Sequence, residues 1–213
     1  MKTVSTLAVS TVLCLIVATL SIPAFSQSDT TAINLSDVII YNKIAKVKKL
    51  GTHSFTPMVW IPGTSYSNNN VHEIATLITI KAPSKLLTVN ALGGGKNKAD
   101  LNNSTDSVTY RLHIYGVKDG HPDDISVGKS FIKSFAVSDK KLSFNLSREN
   151  LHFSTDFFIS LEYVPDQNQG KYPLFSFRAK IKGKGCFVKN TKDGVWKMNQ
   201  GGSAEIFAEV EQH

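Results

Sequence analysis

Ser107-Val-Thr-Tyr-Arg-Leu-His-Ile-Tyr115 alternates by twos. Val108, Tyr110, Leu112 and Ile114 fall on one face, and Thr109, Arg111, His113 and Tyr115 on the other. Successive side chains of an extended chain point to opposite sides, so the pattern predicts a strand with one apolar face. Residues 156–164 repeat it. Phe157, Ile159, Leu161 and Tyr163 share one face and leave Glu162 for the other. In 204–211, Ala204, Ile206, Ala208 and Val210 oppose Glu205, Phe207, Glu209 and Glu211. In 72–80, Ile74, Ile78 and Ile80 fall together.

Further strands are expected at 38–41, 58–61, 86–92, 129–137, 141–146, 173–177, 185–189 and 195–197. Turn residues separate them: Gly93-Gly-Gly95, Lys118-Asp-Gly-His-Pro122, Asp166-Gln-Asn-Gln-Gly170, Lys192-Asp-Gly194 and Gln200-Gly-Gly202. No stretch carries a helical stripe. The expected fold is all-β, a two-layer antiparallel β-sandwich of jelly-roll type. Each strand should pack one face inward and show the other to water. Leu112 and Leu161 should then be the most buried, and Thr109 and Glu162 should face solvent.

Composition agrees with a single core of ordinary size. Of 213 residues, 41% are hydrophobic and 19% charged, which is not the balance of a disordered chain. Two cysteines rule out a disulfide scaffold or a Cys-rich zinc module. A mean hydropathy of −0.09 with one long apolar run argues against a polytopic membrane protein.

That run lies at the start. Lys2 is followed by an apolar stretch from Leu7 to Leu20, then Ser-Ile-Pro-Ala-Phe-Ser26. Ala24 and Ser26 suit a small-x-small cleavage site, so residues 1–26 read as a signal peptide. Cys14 follows Leu13 rather than a small residue, so lipidation is not expected. Cleavage would remove Lys2 from the 24 basic residues, leaving 23 against 17 acidic ones and a charge of +6. Cys186 would be the remaining cysteine, read as a buried small hydrophobe. Residues 27–50 read as a polar and basic lead-in with one short strand, and 51–213 as the sandwich. No transmembrane segment is expected in the mature chain.

Motifs for chemistry are sparse. His72-Glu73 lacks a second histidine at zinc spacing. Gly201-Gly-Ser-Ala-Glu205 lacks the closing glycine of a nucleophile elbow. The glycines at 93–95 lack the lysine of a phosphate loop. Asp119-Gly-His-Pro-Asp-Asp124 gathers oxygen and imidazole groups without the alternating spacing of a calcium loop, and reads as a strand-connecting turn. No catalytic, cofactor-binding or metal-binding residue is expected, no cofactor either, and the chain reads as a non-enzyme. Nucleic acid is not an expected partner of an exported chain without interleaved aromatic and basic residues.

Binding candidates are few. Arg178, Lys180, Lys182 and Lys184 are evenly spaced, which would set four charges on one strand face able to meet an acidic glycan or headgroup. A solvated edge is the plainer reading of those lysines. Trp60 and Trp196 could stack on a sugar, though a strand tryptophan is more often core.

Four segments together carry a resemblance. They are Ile114-Tyr-Gly-Val-Lys-Asp-Gly-His-Pro122, Asp156-Phe-Phe-Ile-Ser-Leu-Glu-Tyr-Val164, Asp193-Gly-Val-Trp-Lys197 and Glu205-Ile-Phe-Ala-Glu-Val-Glu211. In them, residues 37–211 resemble an uncharacterised exported β-sandwich family of Gram-negative bacteria. That region usually follows a carboxypeptidase-regulatory-like domain, and Lys46-Val-Lys-Lys-Leu-Gly51 is similar to the joint after it. The interval between signal and first strand leaves no room for that regulatory domain here. The resemblance implies a sandwich in the periplasm, at the outer membrane or outside the cell, and implies no activity. The expected function is a non-catalytic envelope protein binding or supporting an unidentified envelope protein or glycan. The alternatives are a stand-alone carbohydrate-binding module, or a hydrolase with a dispersed site.

Overall fold

Strand after strand pairs antiparallel, and the computed structural model describes residues 46–53, 58–62, 71–93, 106–165, 175–181 and 186–212. The signal peptide expected at 1–26, the strand expected at 38–41 and the loop expected at 65–70 lie outside the described residues. Among the described residues there is no helix, and so none long and apolar enough to cross a membrane.

The strands are β1 (Lys46–Gly51), β2 (Met58–Pro62), β3 (Glu73–Ile78), β4 (Ser84–Leu92), β5 (Ser107–Lys118), β6 (His121–Ser126), β7 (Phe131–Ala136) and β8 (Lys141–Asn145). They continue as β9 (His152–Phe153), β10 (Phe157–Val164), β11 (Ser176–Lys180), β12 (Cys186–Lys189), β13 (Lys197–Met198), β14 (Ser203–Ala204) and β15 (Ile206–Gln212). One sheet runs β1-β15-β4-β8, with β9 added to β4. The larger sheet runs β13-β12-β3-β10-β5-β6, with β7 added to β5. A small third sheet, β14-β11-β2, completes the set.

The alternation predicts two packed layers, and the core joins them. Val108, Tyr110, Leu112 and Ile114 of β5 and Phe157, Ile159, Leu161 and Tyr163 of β10 are buried with Leu86, Val89, Ile206, Ala208 and Val210 of the facing sheet. Leu112 and Leu161 pair directly across the ladder at 0% and 1% exposure. Tyr110 sits among Phe175 and Phe177, with ring centroids at 5.8 and 5.4 Å. The fold is thus an all-β antiparallel sandwich, and the third sheet gives its rim to the same core through Phe177, Ala179 and Ala204.

Three local expectations change. Residues 119–124 are not one loop: only Asp119 and Gly120 turn, at φ 50° and 80°, and β6 begins at His121. Positive φ at both central residues is the hairpin turn that matches strand twist, and glycine enters it without strain. The lysine-rich end of the basic lead-in holds β1, which the alternation did not mark and which pairs with β15 along its whole length. Last, β10 does not show one face to water, because its first seven residues are all buried. The strand is central, and a second apolar cluster of Ala75, Tyr115, Phe158 and Phe187, with Leu77 and Trp196 against it, covers its outer side.

Candidate functional site

Register puts four charged residues in one row on that outer face. Lys189 of β12 stands opposite Glu73 of β3, Glu73 opposite Glu162 of β10, and Glu162 opposite Arg111 of β5. Directly opposed residues share a face, and like charges there repel. The two carboxylates nonetheless sit side by side, at 4% and 7% exposure. Such burial holds only where each charge is paired and hydrogen-bonded.

Glu162 is held from three sides. Arg111 Nη1 donates to Oε2 at 2.8 Å, and His113 Nε2 lies 2.8 Å from the same oxygen. An ionised carboxylate only accepts, so His113 Nε2 is the nitrogen that carries hydrogen. His72 Nε2 lies 3.2 Å from Oε1 but is not aimed along a hydrogen bond. Burial pushes the Glu162 carboxyl up, and the bonds from His113 and Arg111 outweigh it, leaving the group below the usual carboxylate range. The outer-face expectation for Glu162 is therefore corrected: it faces away from the main core, yet it is shut from water by its own partners.

Glu73 is held differently. Tyr115 OH donates to its Oε1 at 3.0 Å, Ser160 Oγ donates to the same oxygen, and Lys189 Nζ lies 3.9 Å from Oε2. Burial first, then the charge of Glu73, pushes the Tyr115 phenol well above its ordinary value, so it remains a proton donor. Trp196 closes this end. Lys189 Nζ sits over its ring at 4.4 Å, and the edge of Tyr115 meets it with centroids 5.6 Å apart. His121 meets Phe187 edge-on at 5.0 Å beside it.

The arrangement is one of committed groups. Ser160 stands opposite His113 in register, but its hydroxyl donates to Glu73, so no serine–histidine relay forms. Arg111 occupies the Glu162 oxygen that His113 approaches. Among the described residues no group of three His, Cys, Asp or Glu side chains is placed to hold a metal ion. Three polar atoms in the site, His72 Nε2, His113 Nδ1 and Trp196 Nε1, are buried without a hydrogen-bond partner.

The sequence candidates divide. Trp196 is half-buried, with one ring face under an ammonium. Trp60 lies in β2 opposite Arg178 of β11, and its side chain is outside the described residues. Lys180 is exposed at the end of β11. Of the basic face expected of Arg178, Lys180, Lys182 and Lys184, the first two lie on β11, Ile181 follows in a turn, and Lys182 and Lys184 lie outside the described residues. Arg178 instead pairs with Glu205, whose exposure is 2%. Lys189, from the same basic stretch, is drawn into the buried row, while Lys192 and Lys197 are exposed.

Linear reading missed Glu73, Glu162, His72, His113 and Arg111 as one cluster. Motif spacing searches one element at a time, and these residues come from three strands and the residue before one of them. The available signal was the polar second face of the most apolar strands. Neither a family model, a curated protein nor a solved structure matches the chain.

Proposed function

We propose that this chain is an exported, non-catalytic sandwich of the cell envelope that binds a partner through one sheet edge. The observation that carries the reading is a set of exposed apolar side chains where β5, β6 and β7 border solvent. Val117, Ile125, Val127 and Ile132 are 41%, 78%, 52% and 59% exposed. Scattered surface hydrophobes are ordinary, and four around one edge support an interaction site there. The apolar run and small-residue site within residues 1–26 support export. The committed state of Glu162, Glu73 and Ser160 supports a structural rather than catalytic role for the buried row.

The test places a photo-crosslinker at Ile125 or Ile132, and at exposed Lys192 as control, in cells expressing the whole coding length. Adducts from the edge positions alone, with a mature N-terminus near Gln27, are expected. Equal adducts from Lys192 overturn the edge. Turnover of glycoside or ester substrates, lost in Glu162→Gln, overturns the non-catalytic reading.

A further inference from the structure

A second surface feature stands apart from that edge. Where the end of β1 meets the end of β3, the two main sheets leave a half-open groove of about 500 Å³. Lys49, Thr52 and His53 line one wall, and Leu77, Thr79 and Lys81 the other. No carboxylate lines it. We propose that the groove binds an anionic saccharide unit, a sugar carrying one carboxylate or phosphate.

The charge is placed for an anion. Lys81 is exposed and makes no ion pair among the described residues. Lys49 reaches Glu209 only at 3.9 Å and is itself 59% exposed, while the other oxygen of Glu209 accepts from Thr88. Asp156, the acid against the β3 wall, accepts the Ile80 amide at 2.8 Å. A negative ligand between Lys49 and Lys81 would therefore meet one cation with no ion pair among the described residues and one whose pair with Glu209 is long and exposed.

The walls are preorganised. Phe207 lies under the Lys49 ammonium at 5.6 Å and meets the His53 ring edge-on at 6.3 Å. Thr52 donates its amide to the Ile206 carbonyl at 3.0 Å, fixing the chain after β1. Gly51, at φ 108°, lets the chain after β1 lie close against its neighbours, because a Cβ there would meet Ile78 Cδ1 at 2.7 Å and the Ile206 oxygen at 2.8 Å. Groups fixed before binding lose little freedom on binding.

Volume and lining select a sugar over a bare ion. The groove falls in the range of about 300–1,000 Å³ usual for small-ligand sites, and an inorganic anion would leave most of it empty. Leu50 and Leu77, both half-buried, line the groove and can meet the C–H face of a ring. The hydroxyls of Thr52 and Thr79 can exchange hydrogen bonds with ring hydroxyls.

The test titrates the full chain with a galacturonate trisaccharide, its neutral methyl ester and inorganic phosphate, followed by calorimetry. Binding of the acidic trisaccharide is expected, weakening as salt rises, with no response to the ester. The Lys49→Glu and Lys81→Glu variants should each lose about tenfold or more in affinity, about 1.4 kcal/mol. Both lysines are exposed, and unchanged circular dichroism confirms folding. Equal binding of the ester, unchanged affinity in both variants, or a response to phosphate alone overturns the proposal. So does no binding to any of the three. None of these outcomes touches crosslinking from Ile125 or Ile132, so the edge stands or falls separately.

Discussion

Glu73 and Glu162 face each other across the β3–β10 ladder, two carboxylates in register on adjacent strands and both nearly sealed from water. Lys189 and Arg111 stand on their far sides, so the row reads cation, anion, anion, cation. Removing one member of a buried, paired set leaves the others uncompensated.

Glu162→Ala is therefore expected to be costly. It would strip Arg111 and His113 of a shared acceptor. Arg111 is 30% exposed and can recover some water, which lowers the penalty below that of a fully sealed pair. A loss of about 2–4 kcal/mol is expected by urea denaturation. A loss under about 1 kcal/mol, as for a surface glutamate, would show that the row is not formed.

Acid should reveal the same residue. The Glu162 carboxyl is held below its ordinary value in the folded chain. It therefore contributes stability above its unfolded pKa of about 4.3, and that contribution is lost as pH falls through the lower folded value. Urea midpoints measured from neutral pH downward should drop on the acid side in the native chain and drop less in Glu162→Gln. Parallel curves would contradict the assignment.

The two leucines at the centre of the sandwich set a second scale. Leu112→Ala and Leu161→Ala each empty a fully buried site and should cost about 2–5 kcal/mol. Thr109→Ala, whose hydroxyl meets Ser134 Oγ at 2.7 Å near the surface, should cost no more than about 1 kcal/mol. If Thr109→Ala destabilises as much as either leucine variant, the inward face of β5 has been misassigned.

Cys186 should be chemically silent in the folded state. It is 1% exposed, and burial pushes its thiol up to about 11 against weaker opposing hydrogen bonds from Ala204 and Asn199. Thiolate is the reactive form, so iodoacetamide near pH 8 should leave the native chain unlabelled and label it fully in denaturant. Fast native labelling would place the thiol at the surface.

Much of the strand framework was legible because strand period and side-chain polarity coincide. In β5, β10 and β15 the residues that enter the main core can be read directly from every second position. The basic β1 was not legible, since Lys46, Lys48 and Lys49 hide an edge strand whose main contribution is backbone pairing to β15. Residues 121–126 were not legible either: the densest polar loop of the sequence holds a two-residue turn and then a strand, and only the pairing of Lys118 with His121 distinguishes the two.

The sequence by itself determined which face of each main strand is apolar, and hence an all-β chain whose layers must meet face to face. Those decisions are local, because a period of two needs only neighbouring residues. The tertiary structure alone decided that Lys189, Glu73, Glu162 and Arg111 form a row, and that Lys49 and Lys81 flank one groove. Glu73 and Glu162 are brought together by hydrogen-bond register between strands far apart in the chain. A slip of one residue would turn every one of those side chains to the other face. Nothing in the local pattern of either strand fixes that register. The apolar core on the inner face does, and the charged row on the outer face follows from it.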